Sequence, residues 1–544
     1  MSSKVAHYLQ EHVSGEVSTA KSVRNFFSTD GSIFTVEPQI VVYPRNTSDV
    51  RKAARFSWQL AERGKVLSIT ARGKGSGQGG ESLGGGLMLV FPAHMNKLLE
   101  LDTGKGIVRV QPGIIYRNLQ NTLQTHGRFL PPYPSSIDYA TIGGAIANNS
   151  AGEKTVKYGP TGNYVKELSI VLANGELANT LRLSKRELNR KKGLTSFEGE
   201  IYRQLDGLIT DNWDLIQSIG FDVSKNVAGY NIRDVKKSDG TFDLTPLIVG
   251  SQGTLGIVTQ VTLNTEPYNP STTLLAGYFD DLSKATDAIN QLLPLKPSAL
   301  EMVDGNLLEF VYKTNPRQLK DLVEPPFPKV VLLCEFDDVA DRKQSRQAKR
   351  AKKILEPLAT EFSIAKDEHE QEMLWKIRHA AAAVIAHVDG TKKALPIIED
   401  GAVPREKIAE YIENIYKIFE AARLDVGVWG HGGDANLHLH PFLDLGKVGD
   451  RQKVFKIMDA YYDMVLKLGG TTSGEHNDGR LRASYLPKLY GPEVYDLFKK
   501  IKGIFDPYGT LNPGVKIDVQ REDVVKLLRK EYSMEHLSDH MPRT

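Results

Sequence analysis

Arg72-Gly-Lys-Gly75-Ser-Gly77-Gln-Gly-Gly80-Glu-Ser-Leu-Gly-Gly-Gly86 runs straight into Leu87-Met-Leu-Val-Phe91. The spacing Gly75-x-Gly77-x-x-Gly80 is that of the Rossmann dinucleotide fingerprint. That fingerprint needs a helix directly after the glycines, so that its N-terminus faces the pyrophosphate. Here the glycines lead into a strand instead. The pattern therefore predicts a strand–loop–strand in which successive backbone N–H groups form an anion-binding nest. Arg72 and Lys74 add positive charge to it.

Outward from this loop, the pattern alternates strands and helices. Ile40–Tyr43 reads as a strand, and Thr47 and Asp49 open a helix to Glu62. Val66–Thr70, Leu87–Phe91 and Ile107–Val110 read as strands, and Tyr116–Thr125 as a helix. Residues 127–164 are rich in Gly, Pro, Ser, Asn and Thr and are expected to be a ligand-binding loop. Strands are expected again at Glu167–Leu172, Ile248–Val249 and Gly256–Leu263. A boundary falls within Asn264–Ser271. Beyond it a strand near Lys329–Phe336 and helices near Arg342–Leu355 and Arg405–Arg423 continue the α+β layout.

The bulk numbers narrow the function. The 544 residues are enough for two or three domains, with 40% hydrophobic and 25% charged residues. A formal net charge of +3 gives no broad nucleic-acid footprint. The single cysteine, Cys334, excludes an internal disulfide and cysteine-rich metal sites within these residues. It lies in a strand pattern and reads as a core thiol. The N-terminus lacks a signal-peptide run, and no stretch approaches the ~20 apolar residues of a membrane span. A cytoplasmic protein is expected, with peripheral contact at the inner membrane face and a homodimer both left open.

Two C-terminal segments carry chemistry. One is Gly430-His431-Gly-Gly-Asp434-Ala435-Asn436-Leu-His438-Leu-His440, the other Gly474-Glu475-His476-Asn477-Asp-Gly-Arg480. The first reads as a hairpin. Alternation puts Asn436, His438 and His440 on one strand face. A turn centred on Asp434-Ala435 would make His431 and His438 cross-strand partners, their Cβ atoms roughly 5 Å apart. With Glu475 they form a two-imidazole, one-carboxylate set suited to Zn²⁺, Fe²⁺ or Mn²⁺.

The glycine loop is followed by Pro134-Ser-Ser-Ile-Asp-Tyr-Ala-Thr141-Ile-Gly143-Gly144-Ala-Ile-Ala-Asn148-Asn-Ser150-Ala-Gly152, and then by Gly250-Ser-Gln252-Gly253-Thr-Leu-Gly256-Ile257. This series resembles the FAD-binding (PCMH-type) domain of the vanillyl-alcohol oxidase superfamily, with Gln252 where Glu is usual. The resemblance covers residues from about 36 to 517. It implies an α+β fold: a PCMH-type FAD-binding domain of two α+β subdomains over 36–268, and an α+β substrate (cap) domain over 269–517 whose end returns to the flavin. Residues 1–35 are left as an N-terminal extension and 518–544 as a tail, expected to be a surface helix and a frayed end. Arg72, Gly73, Lys74, Gly75, Ser76, Gly77 and Gln78 are implied to cradle the FAD pyrophosphate. Pro134, Thr141, Gly143, Gly144, Asn148, Ser150, Gly253, Ile257 and Asn512 are implied to line the cofactor. The loop holds no histidine, so the FAD is expected to be non-covalent.

The histidine segments resemble "H-x-G-D-G-N-L-H" and "G-E-H-G-D-G" of the D-2-hydroxy-acid dehydrogenase branch, which includes D-lactate, glycolate and D-2-hydroxyglutarate dehydrogenases. Ala435 and Asn477 stand where that pattern has Gly. The resemblance implies that His431, His438 and Glu475 hold a divalent metal. It implies that His476, neutral near pH 7, takes the hydroxyl proton while hydride passes to the flavin, and that Arg378 grips the substrate carboxylate. Apart from the resemblance, His440 shares the strand face of His438 and is a candidate substrate contact, and Arg480 and Arg482 are candidates to face the site. The product would be a 2-keto acid. Electrons would pass to an external acceptor: an iron–sulfur subunit, a cytochrome, an electron-transfer flavoprotein or a quinone. Two readings compete. One is a flavin-dependent transferase of the alkylglycerone-phosphate synthase type, which lacks the full two-histidine pattern. The other is a flavin-bearing electron-transfer subunit, which needs no base.

Overall fold

In the computed structural model, which describes residues 2–314, 319, 322–387, 392–540 and 542, the chain is built on three main sheets. In the first, Ile40–Tyr43 and Ile69–Arg72 flank Leu87–Val90 in parallel, and Glu16–Ser18 adds an antiparallel edge. The glycine loop thus joins two adjacent parallel strands with no intervening helix. The strand before it starts at Ile69 rather than Val66, whose side chain is exposed. The helix Thr47–Glu62 is capped by Asn46, not Thr47: the Asn46 side chain accepts the Asp49 N–H.

The second sheet is antiparallel, in the order 98–102, 107–110, 257–264, 165–171, 177–180. Three expectations change between these strands. Residues 127–164 are not one loop. They contain the helix Ile142–Asn148, capped by Thr141, which accepts the Gly144 N–H at 3.1 Å, and the short helix Thr155–Tyr158. Ile248 ends a helix, Thr245–Ile248, and is not in a strand; Pro246 at its start presets the helical φ. Residues 264–271 are not a bare linker, since Glu266–Pro267 pairs with Arg128–Phe129.

The third sheet has six antiparallel strands, in the order 361–364, 273–279, 330–336, 299–304, 428–431, 436–439. Helices Leu282–Leu292, Asp341–Leu358, Ile408–Ala422 and Val448–Lys467 cover one face with a large apolar core. Gly305–Thr314 and Glu368–His387 cover the other. Cys334 is buried in the central strand, and burial pushes its thiol pKa up. No helix among the described residues is long and apolar enough to cross a membrane.

The C-terminal residues are not frayed as far as His540. The helix after Gln520 is only Arg521–Lys526. Beyond it the chain folds back over the glycine loop and the N-terminal segment. Tyr532 Oη donates to Gly31 O at 2.8 Å, and Lys74 Nζ donates to Leu537 O at 3.2 Å and pairs with Asp539. The His540 ring stacks on Phe26 at 4.6 Å, and His536 is buried.

Candidate active site

A cleft opens between the glycine loop, the segment 134–151 and the turn 251–253. Arg72, Gly73, Lys74, Gly75, Ser76, Gly77, Gln78, Pro134, Thr141, Gly143, Gly144, Asn148, Ser150 and Gly253 all line it. Close approach explains the glycines. A Cβ on Gly73 would fall 2.4 Å from Thr141 Oγ1, and Gly75 sits at φ +79°, where other residues are strained. At Gly73, Gly75, Gly77, Gly143, Gly144 and Gly253 the cleft wall is bare backbone, which suits a flat, phosphate-bearing cofactor.

Several predicted ligands face elsewhere. Ile257 is core, and Asn512 is a buried staple whose amide donates to Glu81 O and Gln252 O, both at 2.8 Å. The Arg72 guanidinium donates to Thr29 O at 2.7 Å and reaches Phe27 O and Ser82 O. Lys74 is turned to the C-terminal residues. Neither cation is aimed at the cleft as expected; both are spent on holding the loop. Arg480 is likewise a strut: it donates to Gly80 O, Leu83 O and Gly514 O at 3.2, 2.7 and 3.0 Å.

Glu475 and His476 also line this cleft, which joins it to the histidine hairpin. The hairpin strands are Val428–His431 and Asn436–Leu439. Their register differs from expectation. His431 pairs with Asn436, and His438 with Trp429, because the turn spans four residues, 432–435. The shift is even, so both histidines keep the same face, with ring centroids 5.3 Å apart.

Around Glu475 Oε1 the imidazoles converge. His431 Nε2 lies 3.0 Å away, His438 Nε2 3.1 Å and His476 Nε2 3.6 Å. Lys225 Nζ sits 3.1 Å from the other oxygen and 3.4 Å from Asp434. Each histidine is backed at Nδ1 by a carboxylate. Glu301 is 2.8 Å from His431; Glu399 is 3.2 Å from His438 and 2.6 Å from His476. The carboxylates behind Nδ1 hold each ring with its Nε2 atom facing inward, as metal-binding histidines require. The candidate ligand atoms of His431, His438 and Glu475 lie within 4.8 Å of one another. The donor set fits a divalent cation.

Charge distribution follows from this packing. Burial alone would lower the His431 and His476 pKa values, but the facing carboxylates outweigh it and raise both to about 9. Burial would raise Glu475, yet His431 and Lys225 hold it well below the usual range. In this geometry Glu399, with Asp400, keeps His476 protonated near pH 7, where the neutral form was expected; Glu475 adds least to that hold. Arg378 is buried and tied by Nε to Glu301 Oε2 at 2.7 Å, so it touches the cluster through Glu301. His440 is buried with Nδ1 unpartnered and borders a separate cavity, not the cleft.

Both departures from the glycine pattern have left-handed backbones: Ala435 at φ +49° and Asn477 at φ +67°. Asn tolerates this region better than most residues. Its side chain is also used: Asn477 Nδ2 donates to Asn148 O and Gly250 O, each at 3.0 Å, sewing the Glu475 loop to the cleft wall. Asp400 accepts the N–H groups of Glu475 and His476 at 3.0 and 2.8 Å. The sequence reading missed Glu301, Glu399, Asp400 and Lys225. The signal for the first two was an acid inside an apolar run, Ala-Leu-Glu301-Met-Val and Pro-Ile-Ile-Glu399.

Residues 38–181 match the family described as FAD binding domain, and residues 269–515 match FAD linked oxidases, C-terminal domain. Glycolate oxidase subunit GlcD of Bacillus subtilis (strain 168) is 30% identical over 483 residues, 88% of this chain and 88% of that protein. The chain belongs to the FAD-linked oxidase family. Another relative is D-2-hydroxyglutarate dehydrogenase of Pseudomonas putida, 29% identical over 520 residues; these cover 92% of this chain and 50% of that protein. This FAD-linked oxidase thus spans about half the length of the D-2-hydroxyglutarate dehydrogenases it matches. The 4-ethylphenol oxidase from Gulosibacter chungangensis shares the fold, with a TM-score of 0.67 at 15% identity over 96% of this chain and 98% of that one.

The packing of residues 532–540 on the glycine loop of this FAD-linked oxidase has a measurable consequence. Ending the chain at Glu531 should weaken FAD binding about tenfold or more, since the two contacts by which Leu537 and Asp539 hold Lys74 of the loop are lost at ~1 kcal/mol each. Titration of flavin fluorescence would read this; unchanged affinity would make the C-terminal residues a bystander.

Proposed function

We propose that this FAD-linked oxidase oxidises a D-2-hydroxy acid to the 2-keto acid and passes the electrons to an external acceptor. The observation that carries this reading is the convergence of three imidazole Nε2 atoms on Glu475 Oε1 at the wall of the cofactor cleft. FAD, when bound, supplies the two-electron acceptor, and a divalent cation, when bound, the Lewis acid.

The chain's own residues do the rest. His431, His438 and Glu475 hold the cation. Glu301 and Glu399 hold the rings from behind. His476, with Nδ1 against Glu399, presents Nε2 to the substrate hydroxyl and, in its neutral form, takes the hydroxyl proton, so turnover should rise with pH towards 9. Arg378, anchored by Glu301, stands ready for the substrate carboxylate. Asp400 and Asn477 hold the Glu475–His476 loop against the cleft. The relatives named D-2-hydroxyglutarate dehydrogenase, D-lactate dehydrogenase and glycolate oxidase support the substrate class. An iron–sulfur subunit, a cytochrome, an electron-transfer flavoprotein or a quinone would take the electrons.

The test is anaerobic mixing of FAD-loaded protein with a panel of D-2-hydroxy acids. The expected result is bleaching of the flavin absorbance by at least one acid. A chelator should abolish that bleaching while the FAD stays bound. Full reduction after chelation would remove the cation from the mechanism, and no bleaching by any acid would refute the activity.

A further inference from the structure

Among the described residues that line the cofactor cleft, Glu81 is the one acid outside the histidine cluster. The residue is buried, and its carboxyl lies along the glycine loop. A Cβ on Gly77 would collide with Glu81 Oε1, so the carboxyl rests against the bare backbone of a cleft-lining glycine. Gly79 N–H donates to Glu81 Oε2, and Asn148 Nδ2 to Oε1, both at 3.1 Å. The direction of the second bond is fixed from a distance. Gly479 N–H can only donate, and it donates to Gln252 Oε1 at 2.9 Å. The Gln252 amide must then donate to Asn148 Oδ1, at 2.9 Å, which turns the Asn148 NH₂ group on to Glu81. Both partners of the carboxyl are thus neutral donors.

The cations nearby are committed elsewhere. Arg72, Arg480, Arg482 and Lys516 are the positive groups around Glu81, and Asp30 is the negative one. Arg72 and Arg480 are bonded to backbone carbonyls. Arg482 donates to Glu399 at 2.9 Å and to Asn477 O at 3.0 Å, and Lys516 donates to Asp478 at 2.7 Å. None of the four is paired with the Glu81 carboxyl. A buried carboxylate without a paired cation is costly, and it takes up a proton instead. Burial and the Asp30 charge accordingly push the Glu81 pKa up. A bound FAD strengthens both causes, since it displaces water from the cleft and its pyrophosphate brings further negative charge there.

We propose that Glu81 meets the bound cofactor as the neutral acid, so that binding FAD takes up one proton from solvent at Glu81. The neutral acid keeps both donated bonds and gains an O–H, which a carboxylate lacks, to offer the cofactor. The proposal needs FAD binding alone and stands apart from the substrate reading above. The test is FAD binding to the FAD-stripped full chain, followed by flavin fluorescence. Affinity of the unaltered chain should be about tenfold or more weaker at about pH 8.5 than at about pH 5.5, the factor that one unit of change in Glu81 on binding gives. His476 lines the same cleft, so a variant decides between the two groups. Glu81→Gln, whose amide has the shape and neutrality of the protonated acid, should match the unaltered chain at the lower pH and lose most of the dependence. Glu81→Ala should be level in the same way if the amide variant does not fold. Calorimetry near pH 7 in two buffers of unequal ionisation heat should show proton uptake in the unaltered chain and its loss in the variant. An affinity of the unaltered chain that is level with pH would overturn the proposal. So would a variant weaker by one factor at both pH values, which is what loss of a purely structural contact gives.

Discussion

Glu475→Gln is expected to abolish substrate-dependent flavin reduction while leaving FAD in place. Glu475 Oε1 is where His431 and His438 meet, at 3.0 and 3.1 Å, and its other oxygen faces Lys225 at 3.1 Å. An amide of the same shape removes the negative charge that holds all three. It also leaves Lys225 buried with Asp434 as its remaining carboxylate, and breaking a buried pair costs about 3–5 kcal/mol. The loss of turnover should exceed the ~10–100-fold typical of a residue that acts through a ligand. Glu399→Gln supplies that comparison, since Glu399 touches His438 and His476 only from behind. Cation content by elemental analysis should fall in both variants, further in the first. Retention of both cation and turnover in Glu475→Gln would remove Glu475 from the site. Unchanged flavin absorbance separates either result from unfolding.

Much of this site is legible in the sequence, because local pattern carries it. The glycine run lacks a following helix, which rules out the Rossmann arrangement. Alternation alone put His431 and His438 on one face, even though the four-residue turn moved the register by two; an even slip leaves faces unchanged. What local pattern does not carry is where a long side chain ends. Arg72, Lys74 and Arg480 are basic residues in or beside glycine-rich loops, and each could as well grip an anion as a carbonyl. Their partners, Thr29, Leu537 and Leu83, are brought near only by the folded chain.

The partners behind the histidines illustrate the same limit. Glu301 lies on a strand paired with the hairpin, whereas Glu399 lies in the segment preceding the helix Ile408–Ala422. Sequence separation from His431 is 130 residues for Glu301, and from His438 39 residues for Glu399. No spacing rule links them. The cost of burying an unpaired carboxylate does offer a clue, since an acid inside an apolar run must have found a cation or a proton donor. Asn477 shows the converse. It replaces a glycine of the family pattern at positive φ, and its amide gains two hydrogen bonds that glycine lacks.

After chelation, the protein is expected to lose stability as pH rises from 6.5 to 9. His431 and His476 have ordinary values of 6.5 and are raised to about 9 by the carboxylates facing them. A raised histidine contributes stability that is fully present below 6.5 and lost as pH climbs through 9. The contribution is on the order of 3 kcal/mol for one such group, and less than twice that for two sharing Glu475. Glu399 and Glu475 act in the opposite sense. Their values are held well below 4.5, so their contribution is present above 4.5 and lost as pH falls through the depressed values. The chelated protein should therefore melt highest between about pH 4.5 and 6.5. A bound cation replaces the protons on the inward Nε2 atoms, and its affinity grows with pH because its ligands must be deprotonated. Thermal melts with and without added Zn²⁺ or Mn²⁺ should diverge from pH 6.5 to 9, by several degrees at the upper end. A chelated protein whose melting temperature stays level or rises across that range would contradict the coupling. In Glu475→Gln the divergence should collapse, which ties it to this cluster rather than to histidines elsewhere.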